Sequence, residues 1–323
     1  MAFKDIIGHE TPIKTIKNIL LKGEQAGGTY LFLGPDGIGK RTTGIEFAKA
    51  VNCEHSSEEG LCDCVSCRKI SSGNHPDVFI ICPKAPSDSI GIDEIRNIRY
   101  EASLKPYEGM KRVFIINDAE KMTEEAQNAF LKLLEEPPQN HIFILTSSNV
   151  GGLLPTVLSR CKVLKFTSLG ESEIRQFLLG HNFDEKDIEL FSHMAMGSIG
   201  RAVKFKEKNI ISQRDRALNN FFFRKSALFR ESVLNEEASG DIEETLYMLL
   251  CWYRDLLVSK FTRERCGLLN IDRAEEIFSY SERFPEPRLE KGLLDIMKTI
   301  GHVRKNINPK IALFNMALEL KRS

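Results

Sequence analysis

Thr29–Thr42 reads TYLFLGPDGIGKRT: a short apolar run, a glycine-rich turn closed by Lys40, and then a stretch with helical spacing that continues to about Val51. Strand, glycine loop, lysine and helix in that order are the context of a nucleotide-phosphate loop. Gly34, Gly37 and Gly39 let backbone N–H groups approach phosphate oxygens, and the helix start adds positive potential. Lys40 is placed to reach the terminal phosphates. A chance glycine-rich turn is the competing reading, and the coincidence of four elements speaks against it. The residue after the lysine ordinarily carries a hydroxyl that ligates magnesium, but here it is Arg41. Thr42 follows, yet one step along a helix turns a side chain by about 100°. Its hydroxyl is therefore expected to point away from the metal.

Working outward, further apolar runs alternate with helical patterns. Asp77–Cys82 (DVFIIC), Arg112–Ile116 (RVFII), His141–Leu145 (HIFIL) and Lys162–Phe166 (KVLKF) read as strands. Ile92, Ile95, Ile98 and Ala102 share a helical face, as do Ala126, Ala129, Phe130, Leu133 and Leu134. Thr123 is positioned to cap the second of these helices, and Pro137-Pro138 to stop it. This alternation predicts an α/β domain over residues 1–167, a mostly parallel sheet with helices on both faces. The texture then changes to short helices with polar joints over 168–206, and to continuous helix over 207–323. Asn219–Phe229 holds four Phe, read as core or subunit interface in preference to a nucleotide-stacking platform. Trp252 and Tyr253 read as helix core.

The partner half of an ATPase site is expected after RVFII, where an active enzyme places Asp for magnesium and then Glu for the attacking water. The chain reads Asn117-Asp118. Magnesium therefore lacks two usual protein ligands, a hydroxyl at Arg41 and a carboxylate at Asn117, which predicts very weak hydrolysis or none. Asp118 reads equally as a turn residue before a helix.

Composition narrows the function classes. The chain has 323 residues, 42% hydrophobic and 28% charged, with 45 basic and 45 acidic side chains. That is globular and electrically neutral, so a dedicated basic nucleic-acid binder is disfavoured. MAFKDIIGHE has no apolar signal core, and no run approaches a membrane span, so a soluble, cytoplasmic protein is expected. Of eight cysteines, Cys53, Cys62, Cys64 and Cys67 cluster in a polar stretch. Four thiolates can complete a tetrahedral structural zinc site. The single residue between Cys62 and Cys64 is tighter than the usual two-to-four spacing, and His55 is a possible substitute ligand. Cys82, Cys251 and Cys266 read as buried small hydrophobes.

Five motifs then occur in a specific order: FKDIIG (3–8), the phosphate loop, NDAEKM (117–122), AFLKLLEEPP (129–138) and LPTVLSRC (154–161). HPDVFI (75–80) and SLKPYEG (103–109) support them. The chain resembles the AAA+ clamp-loader subunits of bacterial DNA polymerase III, strongly to about Arg201 and thereafter only in length and helicity. Within that family its altered magnesium ligands resemble the non-motor subunits.

The resemblance implies an AAA+ nucleotide-fold domain (1–167) with an inserted zinc module at about 52–68. A small helical lid (168–206) and an all-α collar for oligomerisation (207–323) are implied to follow. It implies motor (tau/gamma) and delta subunits as partners, with the sliding clamp and primed DNA met through the complex, inside the polymerase holoenzyme. Arg160, in the SRC tripeptide, is implied to reach the γ-phosphate in a neighbouring subunit, although an arginine there also serves to cap a helix or pair with a surface acid. Thr146 and Arg201 match the two sensor positions and are either functional or relics. Zinc in this family is structural, and ATP with magnesium is doubtful for this chain. The alternatives are an active motor or stand-alone ATPase using Lys40, Asp118 and Arg201, and a zinc-dependent nucleic-acid binder.

Overall fold

The computed structural model describes residues 3, 6–21, 27–55, 62–85, 87–223, 242–304 and 307–322. It divides into two compact units, Met1–Phe177 with Gly197–Gly200, and Leu178–Met196 with Arg201–Ser323.

The first unit is built on a five-stranded sheet in the order β2-β3-β4-β1-β5. The strands are β1 (Gly28–Leu33), β2 (Val78–Ile81), β3 (Arg112–Ile116), β4 (His141–Ser147) and β5 (Lys162–Lys165). Every pairing is parallel. In β1, β3 and β4 both faces are buried, so these strands read as continuous apolar runs in which successive residues feed opposite cores, whereas edge strand β5 buries only Leu164. Leu31, Phe114, Phe143 and Leu145 pack on one side against Ile95, Ile98, Phe130 and Leu134. These come from α4 (Ile92–Ala102) and α5 (Glu124–Glu135). Tyr30, Phe32, Ile115 and Ile144 pack on the other side with Phe47 and Ala48 of α2 (Lys40–Asn52). Removing a side chain such as Phe114, which is fully buried, typically costs ~3–5 kcal/mol. The helix boundaries follow local chemistry. Thr123 caps α5 by accepting from Ala126 N–H at 3.2 Å, and α5 ends just ahead of Pro137-Pro138. β2 and β5 end one residue inside their apolar runs, although Asp77 O still accepts from Val113 N–H at 2.8 Å and Phe166 N–H still donates to Leu33 O at 2.7 Å.

Past β5 the chain is helical: α7 (Glu171–Leu179), α8 (Glu185–Met194), α9 (Ile199–Glu207), α10 (Ile210–Leu218) and then longer helices, among them Ile242–Phe261. The core of the second unit centres on Trp252, which is fully buried. Phe222 meets the rings of Trp252, Tyr253, Tyr280 and Phe284 edge-on at 5.3–5.8 Å. Phe221–Phe223 thus belong to a core; Phe229 lies outside the described residues. Buried Asp255 takes the N–H groups of Leu269 and Asn270 and the side chain of Arg254, pinning the turn after that helix.

One cysteine expectation fails in part. Cys251 is buried, but Cys82 is half-buried and Cys266 is exposed. Cys266 falls in a short turn, Arg265–Gly267, none of whose residues is buried.

Candidate functional site

The phosphate loop sits between β1 and α2, with Gly37 and Gly39 at φ +72° and +102°. Only glycine adopts such angles cheaply. Each loop carbonyl is held by the chain itself. Lys40 Nζ donates to Gly34 O at 2.5 Å and Pro35 O at 2.8 Å. Ser198 Oγ donates to Asp36 O at 2.8 Å, and Gly200 N–H to Gly37 O at 2.7 Å. His9 Nε2 lies 2.7 Å from Ile38 O, and Thr43 donates to Gly39 O through both N–H and Oγ1. His9, Ser198 and Gly200 were missed by sequence reasoning, although GHE and GSIGRA carry them. Arg41 and Thr42 are exposed on the first turn of α2, and Thr43 is the hydroxyl buried behind the loop.

Around the lysine the field is acidic. Asp36 Oδ1 is 3.7 Å from Lys40 Nζ. Burial pushes the Lys40 amine below its ordinary value, against the opposing pull of Asp36, Glu120 and Asp118. Asp118 is pushed up, first by burial and then by the charge of Glu120. Its backbone is left-handed, at φ +50°. Thr146 joins this group: its Oγ1 accepts from Asp118 N–H at 3.2 Å and reaches Asn117 Oδ1 at 3.5 Å. Asn117 turns its amide nitrogen to Cys82 Sγ at 3.3 Å. The Asn117 amide is thus engaged at both ends, donating to Cys82 and accepting from Thr146. Lys40, Asn117, Asp118 and Thr146 are thus gathered at the C-terminal ends of the parallel strands, where ligands bind in open α/β sheets.

Arg201 falls in the second unit. Its guanidinium lies 4.5 Å from the Tyr247 ring centroid and donates to Ala195 O and Tyr247 Oη. Tyr247 in turn donates to Met194 O.

Arg160 follows a single helical turn, α6 (Pro155–Leu158), and precedes edge strand β5. Its side chain is 34% exposed. Nη1 donates to Thr156 O at 2.9 Å and to Ser159 Oγ at 3.3 Å, and Nη2 donates to Glu135 Oε1 at 2.7 Å. The pairing with a surface acid that the sequence left open is thus present. Burial pushes the adjacent Cys161 thiol up to about 12.

The four clustered cysteines converge between α2 and α3 (Val65–Ser71), their sulfurs all within 4.8 Å of one another. Four thiolates around zinc at 2.3 Å would lie ~3.8 Å apart, so a small contraction closes the tetrahedron. The donor set is all sulfur, which suits zinc. Burial together with the crowding thiols Cys64 and Cys53 pushes Cys67 up, whereas N–H donors from Cys67 and Glu54 outweigh burial at Cys64 and hold it at about 7. Sulfurs in this arrangement need a cation before all can ionise. His55 is exposed and lies outside the cluster. The short Cys62–Cys64 spacing is accommodated by Cys64 capping α3, its Sγ accepting from Cys67 N–H at 3.4 Å.

This architecture can be set beside known proteins. The family model for the DNA polymerase III delta subunit matches residues 8–170, and that for its C-terminal region matches 208–322. The chain belongs to the DNA polymerase III delta-subunit family. Relatives include the delta' subunit of Bacillus subtilis, 26% identical over 90% of either chain. The tau subunit of the same organism is 29% identical over 98% of this chain, which spans 60% of that longer protein. The delta' subunit of Pseudomonas aeruginosa is 35% identical over 41% of the chain and 40% of its own length. Among solved structures, a gamma-subunit-related protein of Thermotoga maritima shares the fold, with a TM-score of 0.50, 22% identity, and coverage of 96% of this chain and 99% of that one. No helix among the described residues is long and apolar enough to cross a membrane.

Proposed function

We propose that this delta-family chain is a non-motor, delta'-like subunit of the bacterial clamp loader, working in the cytoplasm with tau/gamma and delta subunits to place the sliding clamp on primed DNA. In this reading residues 1–167 form the nucleotide-fold domain, 168–206 the lid and 207–323 the collar through which the ring assembles. The observation that carries it is the contrast between the chain's own site and Arg160. At the chain's own site, the Lys40 amine is spent on loop carbonyls and the Asn117 amide replaces a metal ligand. Arg160, by contrast, is partly exposed at the sheet edge with a reach set by α6. In this reading Arg160, which has no substrate in its own chain, serves a neighbour. Placed at a γ-phosphate in trans, it neutralises charge as the phosphoryl group leaves, an effect worth about 10³–10⁵ in turnover in NTPases. Zinc, held by Cys53, Cys62, Cys64 and Cys67, supplies structure and takes no part in hydrolysis.

The test rebuilds the complex with Arg160→Ala and compares clamp-stimulated ATP hydrolysis with that of the unaltered complex, with assembly checked by gel filtration. A lower rate at normal assembly is expected. Arg160→Lys should restore only part of it, because lysine lacks the planar fork. Equal rates in all three complexes would leave the chain a structural ring member only.

A further inference from the structure

We propose that Glu135 is a positioning residue that latches Arg160 to its own subunit until a nucleoside triphosphate's terminal phosphate is presented by the neighbour. This rests on the trans-arginine reading above. Glu135 ends α5, and Pro137-Pro138 stop the chain from continuing as helix, which fixes the carboxylate beside α6. A carboxylate at a helix C-terminus faces the negative end of the macrodipole, so a cation is the partner it gains most from. Arg160 supplies that cation at 2.7 Å.

Among the described residues the guanidinium bonds only through Nη1 and Nη2, to Thr156 O, Ser159 Oγ and Glu135 Oε1. Its Nε–H is open to an incoming oxygen. Thr156 O and Ser159 Oγ are neutral and lie on the arginine's own turn, so they can stay with it. Glu135 alone carries a charge that repels an arriving phosphate. The arginine must therefore leave Glu135 before it can serve a neighbour, and the ligand that displaces a single carboxylate is one of higher negative charge. A terminal phosphate qualifies. A diphosphate lacks that terminal phosphate and presents no such group. Half-exposed pairs of this kind are weak enough to yield, as a latch requires.

The experiment measures steady-state ATP hydrolysis of the assembled complex over a range of ATP concentrations, with Glu135→Gln, Arg160→Ala and the double variant. Glutamine keeps the shape and removes the competing charge. The expected result for Glu135→Gln is a half-saturating ATP concentration lowered about three- to fivefold, the most that a weak surface pair contributes, with kcat within about twofold. In the Arg160→Ala background the same change should do nothing. Unchanged half-saturation, a fall in kcat, or an effect that persists without Arg160 each overturns the latch while the trans arginine stands. If Arg160→Ala alone leaves hydrolysis unchanged, the trans-arginine reading fails first and the latch falls with it.

Discussion

Asp77 offers the sharpest test of how this fold holds its cysteine module in place. Its side chain is fully buried. It accepts from the N–H groups of Tyr107 at 2.8 Å, Glu108 at 2.9 Å and Gly109 at 2.8 Å, and from Arg112 Nε at 3.1 Å. The HPDVFI and SLKPYEG motifs thereby meet in one carboxylate. Glu108, on the clamped loop, then binds Lys69 at 2.7 Å and faces His75, whose ring contacts Ser66 between two of the cysteines. Asp77→Ala leaves a buried arginine short of one partner and three amides without any. Breaking a buried pair from one side costs about 3–5 kcal/mol. Glu101 keeps a hold on Arg112 through two bonds, so the lower half of that range is expected. For a unit of this size that is a melting point lower by about 6–16 °C. Asp77→Asn keeps the volume but presents an amide to an amide, and should cost about 2 kcal/mol. The assay is urea unfolding followed by far-UV circular dichroism and thiol reactivity. Trp252, the single tryptophan, gives a separate fluorescence reading of the second unit. Burial would raise the Asp77 pKa, but the three N–H donors and Arg112 outweigh it and hold the carboxyl below its ordinary 3.8. A lowered folded pKa stabilises above the unfolded value and is lost as pH falls through the folded one. The gap between unaltered protein and Asp77→Ala should therefore be constant above about pH 5 and narrow below about pH 4. A loss under about 1 kcal/mol in both variants, or a gap that widens in acid, would refute the reasoning.

The isolated chain should show no appreciable ATP turnover, because Lys40 and Asn117 are engaged within the protein; turnover at motor-subunit rates would contradict this, and Arg41→Thr with Asn117→Asp tests whether the lost ligands are the cause. Elemental analysis of protein purified under reducing conditions without chelator should find about one zinc per chain, with retention falling in Cys64→Ser; finding no metal in the unaltered protein would remove the site. Gly200→Ala places a Cβ 2.9 Å from Gly37 Cα and 3.1 Å from Gly37 O, backbone atoms that cannot rotate away. A loss of about 1–3 kcal/mol by chemical denaturation is expected, and a gain from alanine's helix preference would show that the loop has room.

Periodicity and punctuation by themselves marked the strands and the main helices of the first unit. Apolar runs of strand length, three of them closed at once by Gly34, Pro83 or Asn117, mark elements whose local preference and burial agree, so the strands, α2, α4 and α5 could be read within a residue or two. The phosphate loop, the altered ligands at Arg41 and Asn117, and the cysteine cluster were equally legible, because each is a short motif whose chemistry depends on neighbours in the chain. Only the tertiary structure decided what joins distant segments. Asp77 reaching the 107–109 amides, Ser198 and Gly200 closing on the phosphate loop, and Glu135 meeting Arg160 are contacts across 25 to more than 160 positions. No spacing rule encodes them, since they arise from where the sheet order β2-β3-β4-β1-β5 sets the strand ends side by side. Cys266 was misread for the same reason. A residue's burial follows from which face its turn presents, and that is fixed by packing rather than by its own side chain.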